Sequence, residues 1–302
     1  MALRTMSPAL TVELTSSQTE LICMCAVLAV MLPLLLHLHF DYLAFLKLGP
    51  GGTPATIAGY FRVKLLSCFA LKNPYTAGPV PARFVGQVGW LKSLPKRGSQ
   101  RPVTKGIAPH RQMTHKAGRE HYEALAGAIK KMAEANENLF LGISCFEKNG
   151  TALFTRSPAK LTCRGEVCHA HPSDGSMHMN LHPADARIVL EAGWAERHPL
   201  ARGGFFARFV PSTFLMVYAP TTEEQLKTVL EIVKAAAWYV SGGDGVTDAG
   251  LEKGVAECES KEEPAWWVMK CERGASQSTT VLNGRRKGVQ LDEGSRLSRL
   301  RH

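Results

Sequence analysis

Eight cysteines in 302 residues do not amount to a disulfide framework here. Cys23 and Cys25 lie in an apolar run, and Cys258 and Cys271 in a polar tail. Cys68 and Cys145 stand alone in apolar segments, where a thiol behaves as an inert core side chain. This usage points to a reducing compartment for the body of the chain. Charged residues are also sparse, 21% against 45% hydrophobic, a balance that belongs to a globular protein and excludes a wholly disordered one. The net charge is +10, yet the last 59 residues, from Asp244, hold ten basic and ten acidic side chains, so the whole excess precedes them. Much of it falls between Lys92 and Lys131. No recognised nucleic-acid module and no aromatic-basic interleaving accompanies it, so nucleic acid is not expected as a partner. A solvated basic face near anionic lipid accounts for the excess.

Small-residue cleavage signals are missing as well. Leu21 to Leu36 (LICMCAVLAVMLPLLL) is uninterrupted apolar sequence, extendable to Phe40, and about 20 such residues span a bilayer. The segment before it is long, carries Glu13 and Glu20, and no A-x-A follows, unlike a signal peptide. Residues 1–20 are therefore read as an N-terminal tail and 21–40 as a single-pass transmembrane anchor. Lys47, Arg62 and Lys64 downstream favour a cytosolic body, and an endoplasmic-reticulum membrane is the expected location.

What the sequence has in quantity is histidine in one place. Five of eleven, His169, His171, His178, His182 and His198, fall between Cys163 and Arg202. Val167 to His171 and Ser176 to Leu181 read as strands around a Pro-Ser-Asp-Gly turn. Residues i and i+2 share a strand face, which sets His169 beside His171, and His178 beside Asn180 and His182. A four-residue loop pairs His171 with Ser176 and therefore His169 with His178 across the ladder. Pro183 to Ala192 reads as a short helix ended by Gly193, with His182 as its cap. Trp194 to Leu200 reads as an irregular segment that returns Arg197 and His198 towards the sheet.

Elsewhere, Ile57 to Leu71 and Lys116 to Asn136 read as helices. Asn73 to Arg111, rich in Pro, Gly and basic residues, is expected to wrap the core as extended chain, and Gly106 to Gln112 to reach the histidines. Leu139 to Phe146 and Thr151 to Thr155 flank an Asn149-Gly150 hairpin signal. Thr213 to Tyr218 adds a strand, and Thr221 to Val240 a long amphipathic helix. The sum is an α+β fold. An antiparallel sheet of about five strands carries helices packed on one face, preceded by the transmembrane helix. From residue 244 to 302 periodicity fails, and the tail reads as disordered.

The run HAHPSDGSMHMNLHPADARIVLEAGWAERHPLA resembles the fungal luciferase family. The similarity continues through Phe214-Leu-Met-Val-Tyr-Ala-Pro220. Upstream it takes in Asp41-Tyr-Leu-Ala-Phe-Leu-Lys-Leu-Gly49, Trp90-Leu-Lys-Ser-Leu-Pro95 and Pro109-His-Arg-Gln112. It covers roughly residues 41 to 242, so that 41–243 is expected to form the luciferase-like domain. The resemblance implies oxidation of a hydroxylated styrylpyrone by molecular oxygen through a peroxide that cyclises and loses carbon dioxide. It implies no cofactor beyond O2 as co-substrate, and no metal.

Three readings of the cluster follow. In acid/base catalysis, His169, His171 or His178 deprotonates an acidic enol, Arg197 or Arg111 holds the enolate, and His198 completes the pocket. Trp194 or Tyr218 would stack on a flat substrate, with Asp174 also at the substrate. In the second, three imidazoles hold a metal with Asp174 or Cys168 as fourth ligand, although the spacing matches no standard zinc module. In the third, the histidines are hydrogen-bonded structural side chains. The first is the expectation; a non-catalytic membrane-anchored domain that binds a small molecule or a metal is the alternative.

Overall fold

A computed structural model describes residues 15–159 and 162–243. The tail 244–302 lies outside the described residues, so its expected disorder has no counterpart here. The first helix, α1 (Ser16–Leu46), begins five residues before the expected span and ends six after it. It starts where it does because Thr15 and Gln18 cap it reciprocally. It is long and apolar enough to cross a membrane. Its C-terminal end packs on α2 (Ile57–Ser67), where the Tyr60 hydroxyl donates to Asp41 Oδ2 over 2.6 Å.

A two-stranded ribbon, β1 (Thr104–Gly106) and β2 (His110–Gln112), comes next, followed by α3 (Arg119–Ala135). The main sheet is built from β3 (Leu139–Ile143), β4 (Thr151–Thr155), β5 (Glu166–Ala170) and β6 (Met177–Asn180), then β7 (Ala195–Arg197) and β8 (Phe214–Val217). Their spatial order is β3-β4-β5-β6-β8-β7, and every pairing is antiparallel. The fold is α+β as expected, with six strands rather than five. The additional strand is β7, taken from the segment that looked irregular. Three residues flanked by Trp194 and His198 are too short for alternation to show in sequence, yet they pair fully with β8.

The strand period divides the sheet into two unlike faces. Cys168, Met177, Met179, Leu215 and Val217 point to one side. There α3 packs on β3 and β4, α5 (Glu223–Ser241) on β4 to β6, and α4 (Pro183–Glu191) on β7. This is the main apolar core, and it places the helices on one face as expected. The other face carries His169, His178, Met216 and Glu196, aligned in successive pairings from β5 through β6 and β8 to β7. The β1–β2 ribbon and a second apolar cluster of Ile107, Leu200, Ala201, Val210 and Phe214 lie on this side. A side chain on Gly51 would fall 2.6 Å from Pro109 Cβ, so this loop must be bare to close over the ribbon.

Several local expectations change. The Asn149-Gly150 signal does mark a hairpin, but β3 stops at Ile143 and a seven-residue connection, 144–150, intervenes. Ser144 N–H donates to Gly150 O, and Lys148 N–H to Ser144 O, which rounds the loop off. Cys145 and Cys163 form a disulfide with Cα atoms 5.7 Å apart, so Cys145 is not an inert core thiol. Cys68 is exposed rather than in the core. The disulfide removes the basis on which a reducing compartment was inferred.

Asp185, in the first turn of α4, accepts hydrogen bonds from the backbone N–H groups of Trp90 (3.0 Å) and Leu91 (2.8 Å) across the core. Asp185→Ala strands both donors in a buried setting. It should lower the unfolding free energy by about 2–4 kcal/mol in urea titrations; a loss under about 0.5 kcal/mol would show that the contact holds nothing in place.

Candidate functional site

The turn after β5 sets the register that builds the site. His171 N–H donates to Ser176 O (2.8 Å), and His169 stands directly opposite His178, the pairing expected from the four-residue loop. His171 follows His169 on the same face. His110 arrives from β2, and His198 from just beyond β7. These five imidazoles are all buried. His178 lies at the centre, with ring centroids of His110, His169, His171 and His198 between 4.8 and 5.5 Å away. Phe214 stacks on it at 5.2 Å, and Phe146 packs in turn on Phe214.

Each ring is tied to a specific partner. His169 Nδ1 lies 2.6 Å from Glu166 Oε1, so it carries the proton and donates to the carboxylate. Glu166 is itself fixed by the Ser144 hydroxyl (2.9 Å) and the Cys145 N–H (2.7 Å). His171 Nδ1 donates to Ser176 Oγ (2.9 Å), whose hydroxyl donates to Asp174 Oδ1 (2.5 Å). His178 Nε2 faces His110 Nδ1 at 3.3 Å, and His110 Nε2 lies 3.3 Å from Glu196 Oε1. Glu196 is held by Thr104 Oγ1 (2.7 Å) and by the Tyr218 hydroxyl (3.0 Å). His198 is spent on backbone: Nε2–H donates to Ile107 O (2.9 Å), and Nδ1 accepts from Leu200 N–H (3.2 Å). Glu147 completes the ring of groups, 3.8 Å from His171 Nε2 and clamped bidentately by Arg111.

The electrostatics favour neutral imidazoles. Burial holds His171 down at about 4, with Asp174 opposing and His169 and Arg111 reinforcing the depression. Burial, then the neighbouring rings, depresses His178 well below the ordinary range, and burial puts His198 at about 3. Burial raises Glu147, but the Arg111 guanidinium outweighs it and keeps the carboxylate ionised. Asp174 is likewise held low, as the adjacent His171 and the bonds from Ser176 overcome its burial. Rings that burial keeps neutral offer their lone pairs to a metal ion or a hydrogen bond, and are weak bases unless a carboxylate shares the charge they gain.

The cluster contains His169, His171, His178 and His198 of the expected set, with Arg111 and Asp174 at its margin. Both are consumed by partners within the protein, Arg111 also donating to Pro50 O (2.6 Å). Arg197 is not brought in. It sits on the opposite face of β7 from Glu196, beside Gly78, and donates to Ala201 O. Trp194 is a core residue whose Nε1–H donates to Pro95 O (2.7 Å). Tyr218 lies on the histidine side, buried beneath Arg97, where it positions Glu196 rather than offering a stacking surface. Cys168 points into the helical core and cannot be a ligand here. His182 caps α4 through Nδ1, as expected.

Sequence reading missed His110, Glu147, Glu166 and Glu196. The 106–112 segment was expected to approach, and His110 is its one imidazole. Glu196 alternates with Arg197, so the choice between them needed β7 to be recognised as a strand. Glu147 follows directly on the expected strand Leu139 to Phe146, in a loop whose first three residues read as strand in the sequence. A separate groove of about 370 Å³ opens at the end of β6, with Phe84, Asn180, Thr213 and Tyr239 among its walls.

A luciferase domain model matches residues 164–236, the span from the end of the disulfide loop into α5. A luciferase of Neonothopanus nambi is 31% identical over 218 residues, 67% of this chain and 80% of that protein. A luciferase of Armillaria gallica is 30% identical over 68% of this chain and 82% of its own length, and one of Armillaria mellea 29% over 72% and 86%. No solved structure matches the chain.

Because burial penalises the charged forms of His171, His178 and His198, their protonation costs the fold stability as pH falls from about 6.5 towards 4. Glu147 and Asp174, held low, add a loss in the same direction below about 4. Chelator-treated protein should therefore lose several kcal/mol of stability between pH 7.5 and 4.5 in denaturant titrations. A flat profile would mean that the imidazoles are not held neutral. With this cluster at the heart of the matched region, and relatives covered over four-fifths of their length, the chain belongs to the fungal luciferase family.

Proposed function

We propose that the chain is a luciferase-like oxygenase. It would act with O2 on a hydroxypyrone or a similar enolisable aromatic substrate, and release carbon dioxide. The observation that carries this reading is the convergence of neutral, carboxylate-backed imidazoles in a water-shielded interior, within a chain of the luciferase family. An acidic enol that reaches such a site loses its proton to an imidazole, and the resulting enolate is electron-rich enough to pass its electrons to O2. The line Glu196–His110–His178 is suited to the proton, since a charge gained at His178 can be relayed to a buried carboxylate. The helix Ser16–Leu46 would anchor the domain in the endoplasmic-reticulum membrane, where an apolar polyketide-like substrate partitions.

The test is oxygen consumption by the full chain in detergent with a hydroxylated styrylpyrone, with photons counted in parallel. His178→Ala and Glu196→Gln should each lower the uptake rate by roughly 10²–10⁴-fold, whereas His121→Ala, on α3, should match the parent. Binding of the pyrone without any oxygen uptake would instead support a non-catalytic binding domain.

A further inference from the structure

The hydrogen atoms around His178 do not suffice for the nitrogens that surround it. His169 Nδ1 and His171 Nδ1 both carry protons, because each faces an oxygen that can only accept from it: Glu166 Oε1, and a Ser176 hydroxyl already donating to Asp174. Both Nε2 atoms are then bare lone pairs. Both point at one atom, His178 Nδ1, at 3.3 and 3.1 Å. A single N–H at that position can satisfy one of them, and the other is left buried without a donor. Using it there also takes the proton from His178 Nε2. A neutral His110 must then donate from Nδ1, which leaves its Nε2 bare against the Glu196 carboxylate, and only a buried imidazolium avoids this.

A cation among the three nitrogens removes every one of these conflicts. With His178 Nδ1 as a lone pair, its Nε2–H donates to His110 Nδ1, and His110 Nε2–H donates to Glu196. All four rings are then neutral and every ring nitrogen has a partner. We infer that His169 Nε2, His171 Nε2, His178 Nδ1 and the Glu147 carboxylate form a binding site for a divalent first-row transition-metal ion. The four ligand atoms lie within 4.8 Å of one another in a fully buried position. Metal–nitrogen bonds of about 2.0–2.1 Å at tetrahedral angles put neighbouring ligand atoms about 3.3 Å apart, which the spacings around His178 Nδ1 match. Imidazole with one carboxylate suits zinc, iron(II) or nickel(II) rather than calcium or magnesium.

The surroundings have the form that metal ligands require. Each imidazole is backed by a carboxylate on its far nitrogen: Glu166 directly behind His169, Asp174 through Ser176 behind His171, and Glu196 through His110 behind His178. Arg111 orients Glu147 from behind, bidentately. His198, whose two nitrogens are both engaged by backbone, packs against the site without joining it. The inference sets aside the expectation of a metal-free cluster. It stands on the proton count; a metal-bound His178 has no free nitrogen, so the proton-accepting role given to it above belongs to the metal-free protein.

The experiment is cobalt(II) titration of the full chain in detergent after chelator treatment, with circular dichroism to show that the metal-free protein is folded. One cobalt per chain is expected, with intense visible d–d absorption of a four- or five-coordinate nitrogen-oxygen site, displaced by zinc. His171→Ala should abolish the band. Glu166→Gln, isosteric and not a ligand, should weaken affinity by about 10–100-fold while the protein still folds. His121→Ala should titrate like the parent. A folded parent that shows no visible band at one equivalent would overturn the inference. So would a band unchanged in both Glu166→Gln and His171→Ala.

Discussion

The pairing of His169 with His178 across the β5–β6 ladder is the constraint on which the rest of this structure depends. Strand alternation forces everything on one face to be helical core and everything on the other to be site, and a one-residue slip would exchange them. The register is held from the turn, where His171 N–H donates to Ser176 O, Gly175 N–H donates to His171 O, and Gly175 takes φ +78°. It is held again by β8, which pairs with β6 and carries Met216 and Phe214 under the histidines. Burying polar groups on this scale without partners would be prohibitive. The sheet tolerates it because four carboxylates and a guanidinium are buried at the same place.

Those carboxylates come from elements distant in sequence, and that decides the architecture around the site. Glu147 and the donors to Glu166 sit on the 144–150 loop, which the Cys145–Cys163 disulfide fastens to the segment preceding β5. Glu196 needs β7 as an edge strand, and Tyr218 and Thr104 to orient it. The β1–β2 ribbon brings His110 and Arg111 together, the first to a neighbouring imidazole and the second to Glu147. Long extended chain between residues 73 and 118 is thus not slack. Its backbone bonds (Arg97 N–H to Ala192 O, Met113 N–H to Val103 O, and Arg197 N–H to Pro74 O) and the closely packed Gly51 loop hold the ribbon over the sheet.

How far the sequence could be read follows from how local each signal is. The histidine hairpin, its register, the capping of α4 by His182 and the ends of α5 rest on contacts within a few residues, and all were legible. The contacts that place the four missed residues span 21 to 92 positions, apart from Glu166 to His169, or involve strands too short to show a period. Arg197 looked the better anion binder beside His198, but the two-residue period turned it to the helical face and gave Glu196 the site. Trp194 and Tyr218 looked like stacking platforms. Each has a polar tip used to fasten the scaffold, which sequence cannot distinguish from one left free for a ligand.

The central claim is that buried carboxylates fix His169 and His171 as Nδ1–H tautomers with bare Nε2 lone pairs aimed at His178. Nitrogen-15 NMR of histidine-labelled protein at neutral pH, with the rings assigned by single substitutions, measures this directly. Both rings should show a protonated Nδ1 and an Nε2 shift that moves on addition of zinc. Nε2–H tautomers or imidazolium at either residue would contradict the account.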